Sequence, residues 1–209
     1  MRIGIDLDNT IVCYDVLFSQ LAIEAGLSIP VGGARKSLIR EHFVALGRES
    51  EWTRLQGLAY GTRMLEAVPF PGVVEFVRDA QLAGHELFIV SHKTRFAIAG
   101  ERIDLREAAV KWIGHYLNPH IPVPFEVEAN LFFADRKDVK LDIICSLGLT
   151  AFIDDLQEIL LHPKFPGEVQ RVWFAASETA APSGTMLMSD WRAPLSCLNP
   201  RSVETCVKH

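Results

Sequence analysis

Two aspartates one residue apart, Asp6 and Asp8, close an apolar run and lead directly into Asn9-Thr10. A second acidic pair, Asp154-Asp155, follows Ala151-Phe152-Ile153. Between them, Ser91 ends the apolar run 85–90, and Lys140 lies in a segment of helical spacing upstream of Asp154. Carboxylates gathered at one place repel one another and lose solvation unless a cation joins them. Oxygen ligands without Cys or His suit a hard ion, Mg²⁺ above all. Such an ion beside a serine, a lysine and the amides of a helix start also makes a cradle for a phosphoryl group. Each signal has a plainer reading alone. D-x-D can be a solvated turn, the serine a helix cap, the lysine a solvated helix residue and the acidic pair an Asx cap. The combination, in order and context, carries the chemistry.

These groups converge only if an open α/β sheet places the carboxyl ends of its strands along one crevice. The hydropathy pattern predicts such a sheet. Strand-like runs at 2–7, 85–90, 131–134, 151–153 and 171–175 alternate with helical ones at 71–82, 104–117, 137–147 and 156–162. That alternation argues for parallel strands. Asp104 serves as an N-cap, and Glu107 three residues on completes a capping box. Residues 13–70 read as helical throughout, in stretches at 16–26, 34–46 and 50–65, with six basic and six acidic side chains. The expected organisation is an α/β core of residues 1–12 and 71–175, a helical insertion at 13–70, and a loop or surface arm at 176–209. That arm holds scattered Pro, Ser and Thr with little periodicity.

Composition limits the alternatives. At 209 residues, with 49% hydrophobic and 22% charged side chains, the chain can bury a core in one domain plus a modest insertion. A net charge of −5 gives no general attraction to nucleic acid or an anionic membrane. Cys13, Cys145, Cys197 and Cys206 show neither a C-x-x-C pair nor zinc-ligand spacing. No signal-peptide core and no apolar window of about 18 residues is present, so a cytoplasmic location with reduced thiols is expected.

The motif order resembles that of the haloacid dehalogenase-like (HAD) superfamily of phosphohydrolases. Asp6-Leu7-Asp8-Asn9-Thr10 is similar to the family's first motif, Ser91 to its second, Lys140 to its third, and Phe152-Ile153-Asp154-Asp155 to its fourth. Lys137 competes with Lys140 for the third. The resemblance covers residues 1–175. It implies a Rossmann-like parallel sheet flanked by helices, with segment 13–70 as a small all-helical cap inserted after the first strand. It also implies a Mg²⁺-dependent phosphatase acting on a small phosphorylated metabolite through an aspartyl-phosphate. In that scheme Asp6 attacks phosphorus. Asp8 protonates the leaving oxygen and then activates water. Ser91 hydrogen-bonds a phosphoryl oxygen, and Lys140 neutralises charge on it and on Asp6. Asp6, Asp154 and Asp155 hold the metal with the backbone carbonyl of Asp8; which of the adjacent pair binds directly stays open.

Asn9, Thr10, His92 and Lys93 are expected to contact substrate. The basic stretch His92, Lys93, Arg95, Arg102 and Arg106 reads first as a solvated face, and second as a site for another anionic group or sugar of the substrate. Trp52, Tyr60, Met64 and Phe70 fit core packing first and a substrate-facing role second. His85, His115, His162 and Cys13 read as structural. A phosphotransferase or mutase would share every motif, and a catalytically weak binding protein with 176–209 as a docking arm is a further alternative. A phospho-receiver domain is disfavoured, since its lysine follows its acidic pair in sequence order.

Overall fold

A computed structural model describes residues 1–29, 33–100, 102–193 and 195–198. The sequence readings of Cys206, of the side chain of Cys197 and of the end of the 176–209 segment lie outside the described residues. In chain order the elements are β1 (Arg2–Ile5), β2 (Val12–Cys13), α1 (Asp15–Glu24), α2 (Lys36–Ala45), α3 (Glu49–Tyr60), β3 (Val68–Pro69), α4 (Val73–Leu82) and β4 (Glu86–His92). They continue as α5 (Leu105–Tyr116), β5 (Leu131–Ala134), α6 (Lys137–Ser146), β6 (Ala151–Asp154), α7 (Gln157–Leu160), β7 (Gln170–Phe174) and β8 (Met186–Met188).

Six strands form one sheet in the order β5-β4-β1-β6-β7-β8, and every pairing is parallel. This is the α/β Rossmann-like class expected. Buried parallel strands need apolar side chains on both faces. In β4, Leu87 and Ile89 join one core layer, while Phe88 and Val90 join the other. Gly4 in β1 follows from the same crowding, since a Cβ there would stand 2.5 Å from the Phe152 ring. From β1 the chain builds outward through β4 and β5, then returns through α6 to build β6, β7 and β8 on the other side. Strand order therefore reverses at β1, where open α/β sheets place their ligand crevice.

Three expectations need correction. The insertion is not all-helical: an antiparallel ribbon, Val12 with Pro69 and Cys13 with Val68, ties its two ends together at the core. β4 runs through Ser91 and His92, so Ser91 lies within the strand rather than after it. The described part of the segment after 175 packs on the core rather than standing off as a loop or surface arm, because β8 extends the sheet and Trp191 is buried against Phe76 and Phe174 at centroid distances of 4.9 and 5.3 Å. Asp104 does cap α5, accepting from the amides of Arg106 and Glu107, but the Glu107 side chain pairs with Lys111 instead of closing the box. No helix among the described residues is long and apolar enough to cross a membrane.

Candidate active site

The strand ends bring together the residues the motifs singled out. Asp6 follows β1, and its amide donates to Ile153 of β6 at 2.8 Å, which ties one acidic segment to the other. Asp154 ends β6, with one carboxylate oxygen accepting from the Leu156 amide at 2.9 Å. Lys140 reaches in from α6, sealed from solvent, and its Nζ donates to Asp6 at 2.6 Å and Asp154 at 2.7 Å. Lys137, one turn earlier, instead pairs with Glu158 at the surface. Asp6, Asp154 and Asp155 each offer a carboxylate oxygen within 4.8 Å of the others. The Asp8 carboxylate stands outside this trio: it accepts from the Tyr14 hydroxyl at 2.6 Å and pairs with Lys93 at 2.8 Å.

The loop from Asp6 to Val12 turns back tightly, with the amides of Ile11 and Val12 both donating to the Leu7 carbonyl. Asn9 takes a φ of 62°, a left-handed conformation that Asn tolerates better than most residues. Thr10 is fully buried. Its hydroxyl oxygen accepts from the Asp155 amide at 3.1 Å, while its carbonyl accepts from Trp191 Nε1 at 3.0 Å. Thr10 therefore staples the two acidic loops and does not line the cleft; Asn9, His92 and Lys93 do. The Ser91 hydroxyl is buried with no protein partner, two residues beyond the Ile5–Ile89 pair. An orphaned buried hydroxyl is a donor waiting for an acceptor.

Charge in this cluster is out of balance. Burial pushes Asp6 up to about 7, and Asp154 and Asp8 add to the rise while Lys140 opposes it. Burial likewise pushes Asp155 well above the usual carboxylate range, with Asp154 and Asp6 adding to it. Burial alone would lower Lys140, yet Asp154 and Asp6 hold it above its ordinary value. The Lys140 ammonium thus pairs with two of three crowded carboxylates. A hard divalent cation fits this donor set, since it supplies the missing charge and displaces the retained protons.

The cleft above the carboxylates encloses about 310 Å³, at the small end of ligand cavities. Its opposite wall comes from the insertion: Lys36 at the start of α2, and Thr53, Gln56 and Tyr60 along one face of α3. Of the four insertion residues considered from sequence, Tyr60 faces the cleft. Trp52 stacks on Phe18 at 4.8 Å, Met64 is buried, and Phe70 packs edge-on to Phe174. The basic stretch after β4 divides. Lys93 is held by Asp8, Arg95 by Asp104, Arg106 by Asp135, and Arg102 lies over Phe96. Sequence reasoning missed Tyr14 and Lys36. Neither belongs to a local motif, and only tertiary packing brings them to the acids.

No protein-family model matches the chain, and none of the curated proteins matches it either. Among solved structures, 33 chains match. A HAD hydrolase (family IA, variant 3) from Entamoeba histolytica superposes with a TM-score of 0.58 at 11% identity, over 94% of this chain and 96% of that one. The HAD hydrolase YfnB of Bacillus subtilis, solved bound to magnesium, gives 0.54 at 12% identity over 95% and 98%. A HAD-family hydrolase from Deinococcus radiodurans, solved with phosphate and sodium, gives 0.53 at 12% identity over 91% of each chain. The fold is that of the HAD hydrolases.

Proposed function

We propose that the protein is a metal-dependent phosphohydrolase that cleaves a phosphomonoester of a small metabolite through an aspartyl-phosphate on Asp6. The observation that carries this reading is the Lys140 bridge between Asp6 and Asp154, with Asp8 in the same cleft. Asp6, Asp154 and Asp155 would hold Mg²⁺, which supplies charge neutralisation for a phosphoryl group. Magnesium in the Bacillus structure and phosphate in the Deinococcus structure support that choice of ion and group.

In the first step an Asp6 carboxylate oxygen attacks phosphorus. The bond to the leaving oxygen breaks, and Asp8 gives that oxygen a proton. In the second step Asp8 takes a proton from water as the water attacks phosphorus, which frees Asp6 and inorganic phosphate. Tyr14 and Lys93 fix the Asp8 carboxyl between them, so the proton-transferring group is positioned before substrate arrives, and the proton it first passes to the leaving oxygen enters with the phosphomonoester monoanion. Ser91 donates its unpaired hydroxyl to a phosphoryl oxygen, and Lys140 offsets charge on Asp6 and on the group it receives. The insertion 13–70 acts as a cap that limits water and substrate size. Phosphoryl transfer depends mainly on such positioning and charge neutralisation.

A phosphate-release screen over phosphorylated metabolites, with Mg²⁺ and with chelator, tests the reading. Turnover is expected only with the metal. Asp6→Asn should lower kcat by about 10⁴-fold or more while circular dichroism stays native. Full activity in that variant refutes the nucleophile assignment.

A further inference from the structure

The cations around the cleft are unequal. Lys140 is matched to Asp6 and Asp154, and Lys93 to Asp8. Arg95 and Arg106, two of the sequence-based candidates for a second anion site, are bound to Asp104 and Asp135. Lys36 also lines the cleft, yet among the described residues no carboxylate lies within ion-pair distance of it. Its ammonium instead sits over the rings of Phe18 and Tyr60, 5.7 and 5.3 Å from their centroids. Burial alone would lower Lys36, but the Tyr60 phenol, then Asp155 and Asp8, hold it above its ordinary value and therefore charged.

The position of Lys36 is built in. Its amide donates to an Asp15 carboxylate oxygen at 2.8 Å, so the start of α1 caps the start of α2. Just upstream, Ser19 Oγ bonds both the amide and the carbonyl of Ala34, at 3.0 and 3.2 Å. A lysine anchored at its backbone, seated on two aromatic faces and lining a cleft in which, among the described residues, no carboxylate comes within ion-pair distance of it costs desolvation. An anion supplied by the ligand offsets that cost. The phosphoryl end of the cleft already has Lys140 and Ser91. The helical wall that bears Lys36, Gln56 and Tyr60 faces whatever is attached to the phosphoryl group.

We propose that Lys36 recognises a second anionic group, a carboxylate or a further phosphate, on the leaving half of the substrate. This rests on the phosphohydrolase reading, from which it takes the orientation of substrate. The substrate class is then the phosphomonoester of a small acidic metabolite.

Matched substrates test it. With Mg²⁺ present, kcat and KM are measured for 3-phosphoglycerate against glycerol 3-phosphate, and for fructose 1,6-bisphosphate against fructose 6-phosphate. The first pair reads a carboxylate and the second a further phosphate. Wild-type chain should favour the acidic member of at least one pair by about 10- to 100-fold in kcat/KM, mainly through KM. Lys36→Met should erase that preference by raising KM for the acidic member far more than for its neutral partner, and Lys36→Arg should retain it. An equal fall in kcat for both members assigns Lys36 to the phosphoryl group and overturns the proposal. So does an unchanged preference in Lys36→Met. Release of phosphate from p-nitrophenyl phosphate tests the parent reading alone. Should the chain release none, calorimetric binding of the same pairs to Asp6→Asn, with and without Lys36→Met, still reads Lys36; equal affinities in both backgrounds overturn it.

Discussion

On the sheet side of the cleft Lys140 is sealed from solvent and shared between two aspartates, whereas on the helical side Lys36 meets two aromatic rings and, among the described residues, no carboxylate at ion-pair distance. The first cation is spent on the protein itself. It neutralises acids that parallel strands force together, so its energy goes into holding the site. The second keeps its charge available to a ligand. The two walls differ in attachment too: Asp6 and Asp154 sit at the ends of paired central strands, while Lys36 rides on helices that join the core at the β2–β3 ribbon and pack on one another through the Phe18–Trp52 stack. Groups on sheet strands suit chemistry with a fixed geometry, and groups on an insertion suit selection among substrates.

The sharpest way to break that contrast is to remove the shared cation. Lys140→Met leaves Asp6 and Asp154 buried without their ammonium, which costs about 3–5 kcal/mol. In a chain of this size that is a melting-temperature drop of roughly 6–20 °C. Mg²⁺ should restore part of it by binding only the folded state. Lys137→Met removes an exposed pair with Glu158 and should shift stability by less than about 0.5 kcal/mol. Thermal denaturation of the two variants decides the matter. If they melt together, Lys140 is not holding the acids.

How much of this was legible depends on the range of each signal. Strands in which every residue is apolar, such as Ala151-Phe152-Ile153, announce themselves locally, and so do the acids that terminate them. Parallel topology then brings Asp6 and Asp154 together without further information. The choice of Lys140 over Lys137 needed the direction of α6, since helical phase alone put both near one face. β2, β3 and β8 hold two or three residues each, too few for a period of two to be read. Trp191 and Thr10 meet across 181 positions, and nothing local in either marks the contact. Lys36 looked like one of six basic side chains balanced by six acidic ones in the insertion, and only the seating of α2 against α1 turns it into the cleft.

A smaller effect separates the walls by pH. Asp6, raised from 3.8 to about 7, binds its proton more tightly folded than unfolded. Its contribution to stability is therefore fully present below about pH 4 and lost as pH rises through 7. In chelator, the melting temperature should fall between pH 5 and pH 8, and Asp6→Asn should lessen the fall, leaving the part that Asp155 carries. Mg²⁺ must displace the same proton, so its apparent affinity should weaken by about tenfold per pH unit below 7 for each proton released. Melting curves across pH with and without Mg²⁺ check both. A slope undiminished in Asp6→Asn would take the titration away from Asp6.

The last test reaches the sheet wall from behind. Trp191 Nε1 donates to the Thr10 carbonyl at 3.0 Å, and Trp173 Nε1 donates to the Asp155 carbonyl at 3.0 Å, so one indole restrains each acidic loop. Thr10 in turn accepts from the Asp155 amide, which links the two restraints. Trp191→Phe keeps most of the packing against Phe76 and Phe174 but leaves the Thr10 carbonyl unpaired. The expected cost is about 1–3 kcal/mol in stability. Because the loosened loop carries Asp8 and adjoins Asp155, kcat should fall by a few fold, while the KM difference between acidic and neutral substrates, set by the opposite wall, should stay. A change in that preference instead would mean that the two walls are coupled through the Asp6–Val12 loop rather than independent.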